Sequence, residues 1–189
     1  MKIRLENDYQ VYNSLIPRNG MITDIGCGYG FISYMLNLVS PQRQIIAIDY
    51  DEDKIEVARS CAIKNTNTVF VHEDINEYSL TNSDVFLLND VLHYMPVDLQ
   101  IDIINRCIMK LNPSGMIIIR DADSDLKKEH KATRLTEFFS TKSGFNKTKY
   151  KLSFISGRVI ENIASKHKLK LEVISSSGLT SNYLYILRN

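Results

Sequence analysis

Cysteine is scarce in this chain, long apolar runs are missing from it, and its charges nearly cancel. Three cysteines, Cys27, Cys61 and Cys107, stand among 189 residues. Their number is odd, their spacing is wide, and none forms a C-x-x-C pair. That excludes a disulfide framework and a structural zinc site, and free thiols fit a reducing cytoplasm. No apolar run reaches the length of a membrane span, and no secretory h-region or cleavage site is legible at the start. The expectation is a soluble cytoplasmic protein. A formal net charge of +1 generates no overall field toward nucleic acid or membrane.

The charges are unevenly distributed. Positions 49–90 carry about ten acidic and three basic residues, and positions 142–170 about eight basic and one acidic. Solvated helix faces account for such runs, and a basic rim drawing in an anionic acceptor is the alternative. Hydrophobic residues at 44% and charged residues at 24% allow one domain around one large core.

Against that background one segment stands out, Asp24-Ile25-Gly26-Cys27-Gly28-Tyr29-Gly30. It follows the apolar Met21-Ile22 and precedes the helical pattern Phe31 to Leu36. Glycines adopt backbone angles that a Cβ forbids, and they clear room for close approach. A strand that ends in them and reopens as a helix therefore brings bare backbone against a ligand. A second apolar run, Ile45 to Ile48, ends in Asp49, nineteen residues after Gly30. A carboxylate there is placed to accept from a ribose diol.

The rest of the chain supports a sheet around this loop. A short helix is expected within 3–16, and strands at about 21–25, 44–49, 68–72, 85–88 and 116–119. Strands apolar on both faces belong in a parallel sheet covered by helices. Ile55, Ala58 and Ala62 recur at helical spacing behind Asp51, a candidate cap. Val97, Ile101, Ile104, Ile108 and Leu111 form a helical stripe behind Pro96. Past strand five the pattern turns polar and basic, with a helix expected at 124–139. A further helix at 156–166 leads to two strands, 169–174 and 183–187, joined by a Ser/Gly turn, an antiparallel closure. The predicted fold is α/β, a doubly wound seven-stranded sheet, mostly parallel with a C-terminal antiparallel strand. It forms a single domain with a substrate-lid insertion at about 121–155.

This layout resembles the class I S-adenosylmethionine-dependent methyltransferases over nearly the whole chain. The resemblance rests on the loop Asp24 to Gly30, the acidic strand end Asp49, and Asp74 after the third strand. It also rests on the run Asp84 to His93 and the turn Leu111-Asn112-Pro113-Ser114-Gly115. A nicotinamide enzyme of the same architecture needs G-x-G-x-x-G, and position 31 is Phe31. The resemblance implies S-adenosylmethionine as cofactor and S-adenosylhomocysteine as product. It places the backbone of Gly26, Cys27, Gly28 and Gly30 beneath the cofactor and Asp24 toward its ammonium. Asp49 takes the ribose hydroxyls, and Tyr50 packs on the adenine. Asp74 and the Ile75 backbone meet the adenine edge, and Asn89 offers its carbonyl to the ammonium. Capping, turn and core roles compete for these positions. Cys27 reads as a small loop residue rather than a nucleophile, and no metal ligands are read.

The sulfonium carries its own leaving group, so the protein must align the acceptor, exclude water and manage one proton. His93, just past strand four, suits that proton near neutral pH. Asp121, just past strand five, shares the crevice. Structural and capping roles are the alternatives for both. No N-P-P-Y or D-P-P-Y follows strand four, which counts against adenine-N6 and glutamine methylation. No cysteine is placed to attack a pyrimidine. Basic residues are not interleaved with exposed aromatics, so nucleic acid is not expected as a partner. O-methylation of a small molecule (a phenol, carboxylic acid or lipid-like acceptor) follows by elimination. A non-catalytic cofactor-binding subunit and an RNA or protein methyltransferase stay open as alternatives.

Overall fold

The computed structural model describes residues 8–63, 65–124, 150–175 and 182–189. Strand β1 (Gly20–Ile25) lies inside a seven-stranded sheet and pairs in parallel with β2 (Arg43–Asp49) on one side and β4 (Ser83–Asn89) on the other. Beyond β2 lies β3 (Thr68–His72), also parallel, and beyond β4 lies β5 (Leu111–Ala122), again parallel. The last two strands, β6 (Lys170–Ser175) and β7 (Asn182–Arg188), pair antiparallel to each other. β7 slots in beside β5, and the sheet order is β3-β2-β1-β4-β5-β7-β6.

Why these runs lack a clean polar alternation is visible in the burial. Along β4, Phe86 and Leu88 enter one core, with Ile103, Ile104 and Cys107 of α4 (Val97–Met109) and Ile160 and Ile163 of α5 (Gly157–Lys166). Val85 and Leu87 enter the other. There they meet Tyr12 of α1 (Asp8–Leu15), Leu36 of α2 (Phe31–Val39) and Ile55 and Ala58 of α3 (Glu52–Ser60). Each such side chain taken fully from water contributes about 2 kcal/mol. Both faces being covered, both faces are apolar.

Two sequence expectations are adjusted. Leu111 to Gly115 reads as a turn, but the chain is already in β5 there. Ser114 takes a left-handed φ of 64°, and the β4–β5 register shifts between Ser83 and Val85. The stripe on α4 is rotated. The fully buried positions are Gln100, Ile103, Ile104 and Cys107, while Ile101 and Ile108 are only partly buried. A polar residue at the centre of the buried face hid that rotation. The helix expected at 124–139 lies outside the described residues, as does most of the insertion expected at 121–155. Among the described residues no helix is long and apolar enough to cross a membrane.

The strand order reverses at β1 and β4, with α2 and α3 on one face and α4 on the other. A crevice forms outside the carboxyl ends of strands at such a switch point.

Candidate active site

β1 delivers Asp24 to this crevice. Asp24 is 2% exposed, and its Oδ2 accepts from the Ser33 hydroxyl at 2.6 Å. Ser33 lies in the first turn of α2, so the glycine loop folds the helix start back over the strand end. Burial pushes the Asp24 carboxyl up to about 6; the Ser33 bond opposes this, and the charge of Asp49 adds to it. Ionising so buried a carboxyl is costly unless a cation comes to meet it. Its hydrogen-bond partner among the described residues is a hydroxyl.

The loop itself is built from three left-handed glycines, Gly26, Gly28 and Gly30, at φ 73°, 55° and 76°. The amides of Gly26 and Cys27 both donate to the Ile48 carbonyl, at 2.8 and 3.0 Å. A Cβ on Gly26 would stand 2.3 Å from Val91 Cγ2, and one on Gly30 2.4 Å from Phe70 Cε1. Those two glycines serve close packing. Gly28 differs: a Cβ there would meet nothing within 4 Å, and its amide donates to Asp49 Oδ2 at 2.8 Å. Bare backbone thus faces open space beside a carboxylate. Cys27 stays a thiol. Burial, then the charges of Asp24 and Asp49, push it well above its ordinary range.

At the end of β2, Asp49 Oδ1 also accepts from the Asp51 amide at 2.9 Å. Tyr50 follows, 37% exposed, and its carbonyl is hydrogen-bonded to His72 Nε2 at 3.1 Å. His72 ends β3 directly beside Asp49 in the register. Asp74, two residues on, accepts at Oδ1 from the Asn76 amide and side chain, at 3.0 and 2.8 Å. Its carboxylate therefore closes a turn that leads into the buried Ile75. Asp84 lies elsewhere, at the opposite edge of the sheet. It accepts there from the Met21 amide at 2.7 Å and from Asn112 Nδ2 at 2.8 Å, and it braces the strand starts.

β4 and β5 end side by side, Asn89 opposite Arg120. Asn89 Oδ1 accepts from the Tyr12 hydroxyl at 2.5 Å, and its Nδ2 donates to Asp90 Oδ2 at 3.3 Å. Asp90 takes a left-handed φ of 54° and is ion-paired with the buried Arg120. On the other sheet face, His93 and Asp121 meet. His93 Nδ1 lies 2.7 Å from Asp121 Oδ1, and the His93 amide donates to Asp121 Oδ2 at 3.2 Å. Both side chains are 3% exposed. The imidazole lies between the rings of Tyr94 and Phe154, with centroids at 4.3 and 5.6 Å. The Ser153 amide donates to the His93 carbonyl at 3.0 Å.

Asp24, the glycines, Cys27, Asp49 and Tyr50 thus share one loop cluster, and Asn89, His93 and Asp121 share the adjoining strand ends. Ser33 and Tyr12 were not legible as site residues. A serine nine residues past Asp24 and a tyrosine 77 residues before Asn89 carry no local signal. Asp123 accepts from the Gly157 amide, at the start of α5, at 3.0 Å and from the Tyr185 hydroxyl at 2.9 Å.

With that geometry in view, residues 17–177 match the family described as Methyltransferase domain, and the chain belongs to it. The family's cofactor is S-adenosylmethionine. Over 111 residues the chain is 25% identical to the carboxy-S-adenosyl-L-methionine synthase of Actinobacillus pleuropneumoniae, covering 56% of this chain and 46% of that protein. The chain therefore spans about half the length of that relative. Solved structures that share the fold include the following two. The magnesium protoporphyrin IX methyltransferase of Synechocystis, with S-adenosylhomocysteine bound, is similar at TM-score 0.73 and 15% identity, covering 96% of this chain and 80% of that one. An O-methyltransferase family 2 protein of Planctomyces limnophilus, in complex with apigenin, is similar at TM-score 0.74 and 16% identity, covering 96% and 57%.

Proposed function

We propose that this chain transfers the methyl group of S-adenosylmethionine to an oxygen of a small molecule, with His93 as general base and Asp121 as its orienting partner. The observation that carries the reading is the buried His93–Asp121 pair at the ends of β4 and β5. A carboxylate on Nδ1 fixes the tautomer, leaves Nε2 to take a proton, and favours the imidazolium that results.

The cofactor supplies an activated methyl on a positively charged sulfur. Asp24 meets the cofactor's ammonium with a carboxylate, and the Gly28 backbone leaves the space the group needs. Gly26, Cys27 and Gly30 shape that backbone, and Asn89 offers a carbonyl to the ammonium. Asp49 accepts from the ribose, Tyr50 covers one adenine face, and Asp74 with the Ile75 backbone meets its edge. When bound, the cofactor would supply a methyl on a sulfonium whose sulfur can leave as a neutral thioether, and His93 Nε2 would take the acceptor's proton. Tyr94 and Phe154 keep water from the imidazole.

The test is incubation of the full chain with S-adenosylmethionine and a panel of phenols and carboxylic acids, read by mass spectrometry. S-adenosylhomocysteine together with an acceptor one methylene heavier supports the reading. Its absence across the panel, with cofactor binding intact, favours a non-catalytic binding subunit. A second reading comes from the name of the curated relatives. A chain of that activity, given a carboxyl donor among the carboxylic acids, returns S-adenosylmethionine bearing the added carboxyl and no methylated acceptor, and the same spectra separate the two.

A further inference from the structure

The proposed mechanism uses Asn89 but not the residues that hold it. Four side chains from three elements are joined in sequence across the strand ends. The Tyr12 hydroxyl of α1 donates to Asn89 Oδ1 at 2.5 Å, Asn89 Nδ2 donates to Asp90 Oδ2 at 3.3 Å, and Arg120 of β5 is ion-paired with Asp90. The donors and acceptors leave one orientation for the carboxamide. A phenol donating to oxygen and a carboxylate accepting from nitrogen cannot both be satisfied after a flip. Oδ1 has two lone pairs, so the Tyr12 bond leaves one for an incoming N–H.

The arrangement is held under strain. Asp90 is in the left-handed region, which non-glycine residues adopt at a cost. Its amide donates to the Arg120 carbonyl at 2.8 Å while its carboxylate meets the Arg120 guanidinium. Tyr12 is fully buried, and α1 is anchored at its far end by Arg43. The Arg43 guanidinium donates to the carbonyls of Ile16 and Pro17 and to Asn13 Oδ1. A rigidly docked helix thus reaches the one strand-end carbonyl to which the cofactor's ammonium is assigned.

We infer that Tyr12 is a positioning residue for the cofactor: by fixing the Asn89 carboxamide it couples the docking of α1 to S-adenosylmethionine affinity. This rests on the cofactor assignment of Asn89 made above. Coupling is reciprocal, so cofactor occupancy also tightens α1.

The test is a double-mutant cycle on the full chain, with S-adenosylhomocysteine affinity measured by calorimetry. Tyr12→Phe keeps the ring in its buried place and removes this hydrogen bond. Affinity is expected to fall about fivefold, the scale of one net hydrogen bond. In an Asn89→Ala background the same change is expected to have no further effect, because Tyr12 acts through Asn89. Amide exchange across residues 8–15 is expected to slow on adding S-adenosylhomocysteine to the wild type and not to slow in Tyr12→Phe. Unchanged affinity in Tyr12→Phe, equal losses in both backgrounds, or α1 protection indifferent to the ligand would each overturn the inference while leaving the cofactor reading intact. Failure of the wild type to bind S-adenosylhomocysteine removes both, and it is seen before any variant is made.

Discussion

His93 and Asp121 are 28 positions apart in the chain, yet Nδ1 of one lies 2.7 Å from Oδ1 of the other. The parallel pairing of β4 and β5 sets Asn89 against Arg120, so His93, in the turn just past β4, comes to lie beside Asp121, the penultimate residue of β5. The Ala122 amide, 2.8 Å from the same Oδ1, holds the carboxylate in place. The histidine is thus oriented through two atoms of one aspartate, its ring nitrogen and its own amide.

If this pair manages the acceptor's proton, His93→Gln and Asp121→Asn lower kcat by about 10²- to 10⁴-fold. Neither change touches the glycine loop, so affinity for S-adenosylhomocysteine is expected to hold. Steady-state kinetics beside calorimetry checks this. Wild-type turnover in either variant removes the pair from the mechanism.

Asp24 predicts a pH dependence with a definite sign. Its folded-state carboxyl is raised from 3.8 to about 6, so the ligand-free fold holds that proton more tightly than the unfolded chain does. Its contribution to stability is present below about pH 4 and is lost as pH rises through 6, on the order of 3 kcal/mol in all. Cofactor binding runs the other way, since an ammonium needs the carboxylate. Affinity is expected to fall about tenfold between pH 7 and pH 5. Asp24→Asn is expected to raise the Tm of the ligand-free protein at pH 8 and to lose the ligand-induced Tm shift. A ligand shift that survives in this variant contradicts the assignment.

The glycines separate packing from binding. Gly30→Ala places a methyl into the Phe70 ring and Gly26→Ala places one into Val91; both are expected to destabilise the fold by about 2–3 kcal/mol. Gly28→Ala meets no atom within 4 Å, so only left-handed strain of about 1 kcal/mol is added. Its larger effect is expected on cofactor affinity, because the methyl enters the cradle. Urea unfolding alongside ligand titration distinguishes the two outcomes.

Arg43 is fully buried, and its donors meet the carbonyls of Ile16, Pro17 and Leu36, each at 2.8 Å. These carbonyls lie at or near the C-terminal ends of α1 and α2, where a cation is favoured. Arg43→Met leaves them buried without the guanidinium and is expected to cost about 3 kcal/mol of stability. The urea midpoint reads this directly.

Much of the cofactor half of the site was legible because it is local. Asp24 and Gly26 to Gly30 sit on one strand–turn–helix, and Asp49 closes the next strand. β3 falls at Thr68–His72, as its apolar run indicates. The acceptor half depends on register between distant strands. His93 and Asp121 could be picked out singly, but not as a pair. Gln100 carries no core signal on α4, because a polar side chain at the core is favoured only once its partners exist. They are the carbonyls of Met95 and Ser153, at 2.6 and 2.7 Å. Tyr12 reads as an ordinary amphipathic position until β4 is placed beneath it. Long-range hydrogen bonds leave no periodicity for a sequence pattern to show.

Calorimetric titration of the full chain with S-adenosylmethionine tests the account at its root. Saturable one-to-one binding, competed by S-adenosylhomocysteine and indifferent to NAD, is the predicted result. No heat with either sulfur nucleoside, or uptake of NAD in their place, would contradict it.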